Sequence, residues 1–171
     1  MKYIVIFHGN LNYAYLTPDK YEFVIRHSYE LIIDTMREYF PDTKYVFEAS
    51  GYTVEQIATL TPDVLKKLKA AIDSGQCEFM GSPYAHPMLP NFPKEDGIWS
   101  IRFSNEVYQK YLGMQPKSFW NPECGWRSYV PEQVAESGYK NLLGDFEAYS
   151  RSCGLDGKPQ RPEIYEKEYS M

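Results

Sequence analysis

Short apolar runs alternate with longer stretches of helical periodicity along this chain of 171 residues, and this alternation constrains its fold more than any other feature. Parallel strands that are covered on both faces are short and almost continuously apolar, and helices connect them. Runs of this kind occur at residues 3–7, 44–48, 76–80, 118–120 and 139–144. The order of elements therefore predicts an α/β fold built from parallel, right-handed βα units.

Proline and glycine mark the ends of the intervening helices. Thr-Pro-Asp occurs at 17–19 and again at 61–63, where we expect threonine to cap a helix and proline to occupy its first position. The predicted helices span 18–39, 53–60, 62–74, 97–112 and 131–137. Residues 1–150 are thus predicted to form one βα domain, and residues 151–171 a polar tail or a truncated continuation.

The composition excludes several classes of protein. Hydrophobic residues make up 43% and charged residues 24%, which is typical of a globular domain rather than a disordered chain. A net charge of −5 with no basic patch argues against a nucleic-acid partner. No apolar run reaches the about 18 residues of a membrane span, and the apolar N-terminal run is too short for a signal peptide. The 16% of aromatic residues would suit a polyhydroxylated ligand.

Cysteine usage favours a reducing compartment, the cytoplasm. The three cysteines, Cys77, Cys124 and Cys153, are odd in number and lack the spacing of metal ligands. No phosphate-binding glycine loop and no dinucleotide fingerprint occurs in the sequence. We therefore expect no bound metal and no cofactor.

Polar side chains lie at or near the end of every predicted strand. Because the carboxyl ends of parallel strands meet at one edge of a sheet or barrel, we expect these side chains to form a functional site. They are His8, Asn10, Asn12, Glu48, Ser50, Glu78, Tyr84, His86, Glu123, Trp126 and Asp145.

Glu123 is the strongest single candidate for chemistry. It follows the strand that ends at Trp120, beyond a proline that stops the sheet ladder, and Trp126 comes shortly after it. A carboxylate between flat aromatic surfaces suits the stacking of sugar rings and reaction at an anomeric carbon. The alternative is a surface turn in which Glu123 pairs with Arg127 and the tryptophans belong to the core.

Structural alternatives remain open for the other candidates. His8 either contacts a ligand or is a core histidine that bonds to backbone, and His86 lies in a proline-rich loop where both roles are reasonable. Glu78 either faces a barrel interior or pairs with a lysine, and Glu48 fits both kinds of role. His27 lies in the middle of a predicted helix, and we expect it to be structural.

Three of these segments, in order, resemble the signatures of glycoside hydrolase family 57. The first is the histidine after the first strand, His8, although His8-Gly9-Asn10 departs from the usual His-Gln-Pro. The second is Gly75-Gln76-Cys77-Glu78-Phe79, followed by a Pro-x-x-His-Pro-x-x-Pro segment at 83–90. The third is Trp120-Asn121-Pro122-Glu123-Cys124, which is similar to the family's nucleophile motif. The resemblance covers roughly residues 1–150.

The resemblance implies part of an incomplete (β/α)7 barrel that acts on α-glucans by retaining hydrolysis or transglycosylation. Glu123 would be the nucleophile that forms a covalent glycosyl-enzyme. The substrate-binding residues would be His8, Asn10, Asn12, Glu78, His86, Trp120 and Trp126. The ligand would be an oligosaccharide or polysaccharide, with no nucleic acid and no membrane involved.

The sequence departs from the family pattern at the general acid. The family's general acid is an aspartate well downstream of the nucleophile, and only Asp145, on the next strand end, could replace it here. We therefore expect a fragment of a longer enzyme that is inactive or weakly active alone and that self-associates through an exposed barrel edge. A non-catalytic carbohydrate-binding remnant is the alternative. A metal-dependent deacetylase-like barrel is less favoured, because its Asp-Asp and histidine zinc motifs do not occur.

Overall fold

The computed structural model describes residues 3–145 and contains one five-stranded sheet. The strands are β1 (Ile6–Gly9), β2 (Tyr45–Ala49), β3 (Cys77–Gly81), β4 (Ser118–Trp120) and β5 (Asn141–Leu143). They lie in the order β1-β2-β3-β4-β5, and every neighbouring pair is parallel. The predicted parallel α/β fold is confirmed. The predicted tail at 151–171, the boundary at 150 and Cys153 lie outside the described residues.

Helices connect the successive strands. They are α1 (Tyr21–Val24), α2 (Leu31–Tyr39), α3 (Gly51–Leu60), α4 (Pro62–Asp73), α5 (Lys94–Leu112) and α6 (Val130–Glu136). Short 3-10 turns precede α1, α5 and α6, at Pro18–Lys20, Leu89–Asn91 and Pro122–Cys124. No helix in the described range 3–145 is long and apolar enough to cross a membrane.

The first long helix differs from its prediction in one respect. A π-helical segment, Ile25–Glu30, joins α1 to α2, so the predicted helix over 18–39 is continuous but not uniform. Its buried residues Ile25 and Tyr29 still face the core, and the Tyr29 ring packs edge-on against Phe47 at 5.8 Å. His27 is exposed and stacks on Phe23, with Nδ1 2.9 Å from the Phe23 carbonyl, which fits its expected structural role.

The main core lies between the helices and one face of the sheet. Phe47, Phe79 and Phe119 point from adjacent strands toward the helices and are almost completely buried. Leu68 from α4 and Tyr108 from α5 are equally buried on the helical side. Burial of apolar area of this kind is the main stabilising contribution to such a fold.

The opposite face of the sheet, which we call the inner face, is not covered by any helix of residues 3–145. Its lining runs across all five strands and includes Ile6, Val46, Met80, Ser118 and Leu143. Because the helices lie on one face only, the sheet has the arrangement of part of a barrel wall. The continuously apolar strand runs favoured strands covered on both faces, whereas the expected five-stranded fragment implied an uncovered core face.

The first strand has bounds that differ most clearly from the prediction. We predicted it at 3–7, but β1 begins at Ile6, and Tyr3 and Ile4 are 76% and 78% exposed. Within residues 3–145, β1 is an edge strand that pairs only with β2, and Val5, just before it, still accepts a hydrogen bond from the Val46 N–H at 2.9 Å. The strand instead continues to Gly9, and this places His8 inside it.

Helix starts also depart from prediction. Thr17 and Thr61 occupy N-cap positions, but neither side chain makes a capping hydrogen bond. The Thr61 hydroxyl instead donates to the carbonyl of Ile57 in the preceding helix, at 3.1 Å. A real cap occurs at Ser50, whose hydroxyl oxygen accepts from the backbone N–H of Thr53 at 3.2 Å. The helix predicted from 53 therefore begins two residues earlier, at Gly51.

Candidate functional site

A cluster of polar and aromatic side chains lies at the carboxyl ends of β1 to β4. We call it the strand-end cluster, and it contains His8, Glu48, His86, Trp120 and Glu123. The cluster brings together residues from four successive βα units, because the strands are parallel and their loops emerge on the same side. Four of its five members were predicted site residues.

His8 and Glu48 form the centre of the cluster. They are directly opposite one another in the β1–β2 register, and His8 Nδ1 hydrogen-bonds to Glu48 Oε2. The Glu48 side chain is completely buried, whereas that of His8 is 39% exposed. The hydrogen bond to the Glu48 carboxylate raises the pKa of His8 against the opposing effect of burial, and the Glu123 charge adds to this rise.

His86 reaches the cluster from the loop after β3. Its ring lies 4.9 Å from the His8 ring, and its backbone has a φ of 56°. Its backbone N–H donates to the carbonyl of Pro83 at 3.3 Å, which closes a tight turn. Burial lowers the pKa of His86, so the neutral imidazole is favoured.

Glu123 follows β4 on a left-handed turn. Glu123 and Cys124 have φ values of 55° and 51°, a conformation that is costly for residues with a side chain. The backbone N–H of Cys124 donates to the carbonyl of Asn121 at 2.9 Å, and the Asn121 side-chain amide donates to the carbonyl of Gly125. These bonds hold the exposed Glu123 just beyond the end of the sheet.

Trp120 links this turn to the histidines. Its indole stacks on the His8 ring with centroids 5.5 Å apart and planes 24° from parallel. Trp126 lies farther along the same loop, near Gly144 and thus toward β5. Trp120 and Trp126 were the two residues predicted as candidates to stack on a sugar ring. Trp120 adjoins the cluster, whereas Trp126 lies toward β5. No ion pair joins Glu123 to Arg127 among the described residues, so the surface-turn alternative lacks its expected contact.

The two predicted asparagines shape the loops beside the cluster. Asn10 Oδ1 accepts from the backbone N–H of Asn12 at 3.0 Å. The Asn12 side-chain amide donates to the carbonyl of Ala85 at 2.9 Å, which ties the β1 loop to the loop that carries His86. Asn12 therefore contributes to the position of His86.

Glu78 lies apart from the strand-end cluster. It is the second residue of β3 and lies on the inner face, three residues before the strand ends at Gly81. The Ser118 hydroxyl donates to Glu78 Oε1 at 2.7 Å, and the Asn141 side-chain amide donates to Ser118 Oγ at 3.2 Å. This chain of hydrogen bonds crosses three strands below the cluster.

Tyr108 fixes the backbone beneath the cluster. Its buried hydroxyl lies 2.7 Å from the carbonyl oxygen of Ala49 and 3.1 Å from that of Ser82, and it accepts from the Ser82 N–H at 3.1 Å. Burial raises the pKa of Tyr108, so this group stays a neutral donor. It joins the ends of β2 and β3, which carry Glu48 and the His86 loop.

The sequence did not decide whether Glu48 has a functional or a structural role. Its position at a strand end was noted, but its pairing with His8 depends on the register of two strands about 40 residues apart. Chemically, the cluster combines an exposed carboxylate, a histidine pair and an indole face. Ligand atoms of His8, Glu48 and His86 lie within 4.8 Å of one another, so these three residues could also hold a metal ion.

Comparison with known proteins agrees with the fold. Residues 2–162 match the model of glycosyl hydrolase family 57. The chain is 30% identical over 138 residues to alpha-amylase 1 of Dictyoglomus thermophilum, which covers 79% of this chain and 20% of that protein. It is 29% identical over 135 residues to a 4-alpha-glucanotransferase of Thermococcus litoralis, covering 79% of this chain and 20% of the relative.

A solved structure of a relative has the same fold as this chain. The crystal structure of 4-alpha-glucanotransferase from Thermococcus litoralis superposes with a TM-score of 0.72 and 27% identity, covering 83% of this chain and 22% of that one. The chain thus spans about a fifth of the length of the curated relatives that it matches. The expected partial barrel and the expected family are both confirmed. The chain belongs to glycosyl hydrolase family 57.

Proposed function

We propose that this chain forms the donor-sugar side of a retaining active site for α-glucans, with Glu123 as the nucleophile. The observation that carries the proposal is the placement of Glu123 on a strained left-handed turn, beside a histidine pair and an indole. Strain of this kind occurs where the surrounding structure imposes a geometry that function requires. The relatives that are named alpha-amylase and 4-alpha-glucanotransferase support the substrate class.

Each residue of the strand-end cluster has a role in this proposal. The carboxylate of Glu123 attacks the anomeric carbon and forms a glycosyl-enzyme, which water or an acceptor sugar then releases. Trp120 offers a flat apolar face to the sugar ring, and His8 and His86 contact its hydroxyl groups. Glu48 acts through His8, since it fixes the orientation of the imidazole. Asn10, Asn12, Glu78 and Trp126 remain proposed contacts for sugar units outside the cluster.

The general acid of this proposal lies outside residues 3–145. Retaining chemistry needs a second carboxyl group about 5–5.5 Å from the nucleophile to protonate the leaving oxygen. Burial raises the pKa of the Cys124 thiol, and the charge of nearby Asp145 adds to this rise. We do not assign the acid role to Asp145, because the family places its acid in a later segment.

The experiment that tests the proposal is trapping of the glycosyl-enzyme. The protein is incubated with 5-fluoro-α-glucosyl fluoride, whose leaving group needs little protonation, and intact mass is measured. We expect a mass gain of one fluoroglucosyl group that maps to the Glu123 peptide and is absent from Glu123→Gln. Glu132→Gln, which changes an exposed glutamate paired with Lys94, is the matched control and should still form the adduct.

Absence of the adduct in folded wild-type protein would contradict the assignment of Glu123. Binding of a maltooligosaccharide by that same protein, measured by calorimetry, would then favour the non-catalytic binding function.

A further inference from the structure

We propose that His8, Glu48 and His86 bind one divalent transition-metal ion. This site goes beyond the proposed function and does not depend on Glu123 being a nucleophile. Two imidazoles and one carboxylate form a ligand set that suits Zn²⁺ and its neighbours in the first transition row. Mg²⁺ and Ca²⁺ prefer sites made of oxygen ligands alone.

The spacing of the three ligands supports this assignment. One ligand atom from each residue lies within 4.8 Å of the others. Around Zn²⁺, bonds of about 2.0–2.2 Å place tetrahedral ligand atoms about 3.4 Å apart. The three residues come from three adjacent units, and two of them face each other in the β1–β2 register, so the sheet itself sets their separation.

Two buried polar atoms point to a missing partner within the cluster. Glu48 Oε1 and His86 Nε2 are both buried and have no hydrogen-bond partner among the described residues. Burying such atoms without a partner is unfavourable for a neutral group and more so for a charged one. The Glu48 side chain is fully buried, so solvent does not offset that cost. A cation bound between these atoms satisfies both.

The cluster also leaves one side open for a further ligand. His8 is 39% exposed, and its ring is flanked by Trp120 on the side of the Glu123 turn. Three protein ligands with an accessible fourth position are the pattern of zinc sites that bind an exchangeable ligand, whereas closed four-ligand sites are structural. An ion here would face the same space as the proposed donor sugar.

The hydrogen bond between His8 and Glu48 represents the metal-free alternative. In that state the imidazole satisfies Glu48 Oε2, while Oε1 and His86 Nε2 remain unpaired. A metal ion replaces that one bond with three ligand bonds and gives Glu48 Oε1 and His86 Nε2 the partner that they lack. The metal-bound state is therefore the one that explains the whole cluster.

Titration of the full chain with Co²⁺ tests the proposal. A four- or five-coordinate Co²⁺ absorbs visible light much more strongly than the hexaaqua ion, and nitrogen and oxygen ligands give no sulfur charge-transfer band. We expect one Co²⁺ per chain, displaced by Zn²⁺ and not by Mg²⁺, with quenching of tryptophan fluorescence because Trp120 adjoins His8. A sulfur charge-transfer band would instead indicate binding at cysteines and overturn the proposal.

Three histidine variants make the assignment specific, because the chain contains only three histidines. His8→Gln and His86→Gln should each weaken Co²⁺ binding at least about 100-fold. His27→Gln is the matched control, since His27 stacks on Phe23 outside the cluster, and it should bind as wild type does. No binding by folded wild-type protein, or equal binding by His86→Gln, would overturn the site. Because His86 lies in a loop, this variant tests the site even if Glu48→Gln fails to fold.

Discussion

At the scale of single residues, the turn at Glu123 stores backbone strain. A left-handed conformation costs about 1–2 kcal/mol for a residue with a Cβ atom, and Glu123 and Cys124 adopt it in succession. Nothing in local sequence preference favours this geometry, since glycine and asparagine are the residues that adopt it readily. The hydrogen bonds of Asn121 and the close approach of Gly125 to Met88 and Pro90 impose it.

This strain predicts a stabilising substitution at the proposed nucleophile. Glu123→Gly should raise the free energy of unfolding by about 1 kcal/mol relative to Glu123→Ala, because glycine adopts the left-handed region without the Cβ penalty. Urea denaturation of both variants measures the difference, and the alanine variant controls for loss of the side chain. Equal stability of the two would show that the turn is not strained.

The sequence predicted well which residues lie near the strand ends. It did not predict which of them are hydrogen-bonded to one another across neighbouring strands. His8, His86 and Glu123 were expected together, because parallel strands gather their carboxyl ends, and the family resemblance added Trp120. The structure brings all four together. Glu78 was expected with them but lies lower in the sheet, since β3 continues to Gly81. Periodicity locates a strand without fixing its last residue, and it carries no information on register between strands.

At the scale of secondary-structure elements, Tyr108 shows how a helix positions the site. This residue of α5 bonds to backbone groups at the ends of β2 and β3 through one buried hydroxyl. Without that hydroxyl, the N–H of Ser82 and the carbonyl of Ala49 would lose a partner in the core. The role was not predictable, because tyrosine at a helical core position is indistinguishable from an ordinary apolar residue in sequence.

Tyr108→Phe is therefore expected to destabilise the fold. The free energy of unfolding should fall by about 1–3 kcal/mol, the usual cost of leaving buried backbone groups unpaired. Chemical denaturation measures this change, and Tyr39→Phe, at an exposed position at the end of α2, is the control. A change no larger than that of the control would mean that water or a rearranged side chain replaces the hydroxyl.

An ion-pair network joins the first helical region to α4 and predicts a pH dependence. Lys67 Nζ lies 2.6 Å from both Glu30 Oε1 and Asp34 Oδ2, and this lysine is the main cause of the lowered pKa of Glu30. A carboxyl group whose pKa is lower in the folded state contributes stability above its unfolded pKa and loses it as the pH falls. The contribution is less than about 1 kcal/mol, since the pair lies near the surface.

Lys67→Gln should remove this contribution. Its deficit in the free energy of unfolding should be present at pH 7 and should shrink between about pH 5 and pH 3, as Glu30 takes up a proton in the folded state. Lys66→Gln, at the exposed neighbouring position, is the control. A deficit that stays constant with pH would assign the effect of Lys67 to packing rather than to charge.

At the scale of the whole molecule, the inner face is the surface through which we expect the protein to associate with another chain. Ile4 and Leu143, at opposite edges of the described sheet, both line this face and are at least partly exposed. An uncovered apolar sheet face with two unpaired edge strands favours association with another chain. The composition predicted a normal globular core, but it could not reveal that only one face of the sheet is covered.

We therefore expect the protein to self-associate as its concentration rises. Leu143→Lys and Ile4→Lys should each shift the equilibrium toward monomer, because they place charge on the inner face. Sedimentation velocity across a concentration series measures this shift, and Leu31→Lys, an exposed leucine at the start of α2, is the control. If all three variants and the wild type sediment alike, the inner face does not mediate association.

The strictly sequential strand order has a consequence for synthesis. Each strand pairs with the one made just before it, so every βα unit can dock as the chain leaves the ribosome. The first three units supply His8, Glu48 and His86, and the fourth supplies Trp120 and Glu123. The buried carboxylate thus meets its histidine partner early during translation, and the proposed nucleophile joins them later, together with Trp120.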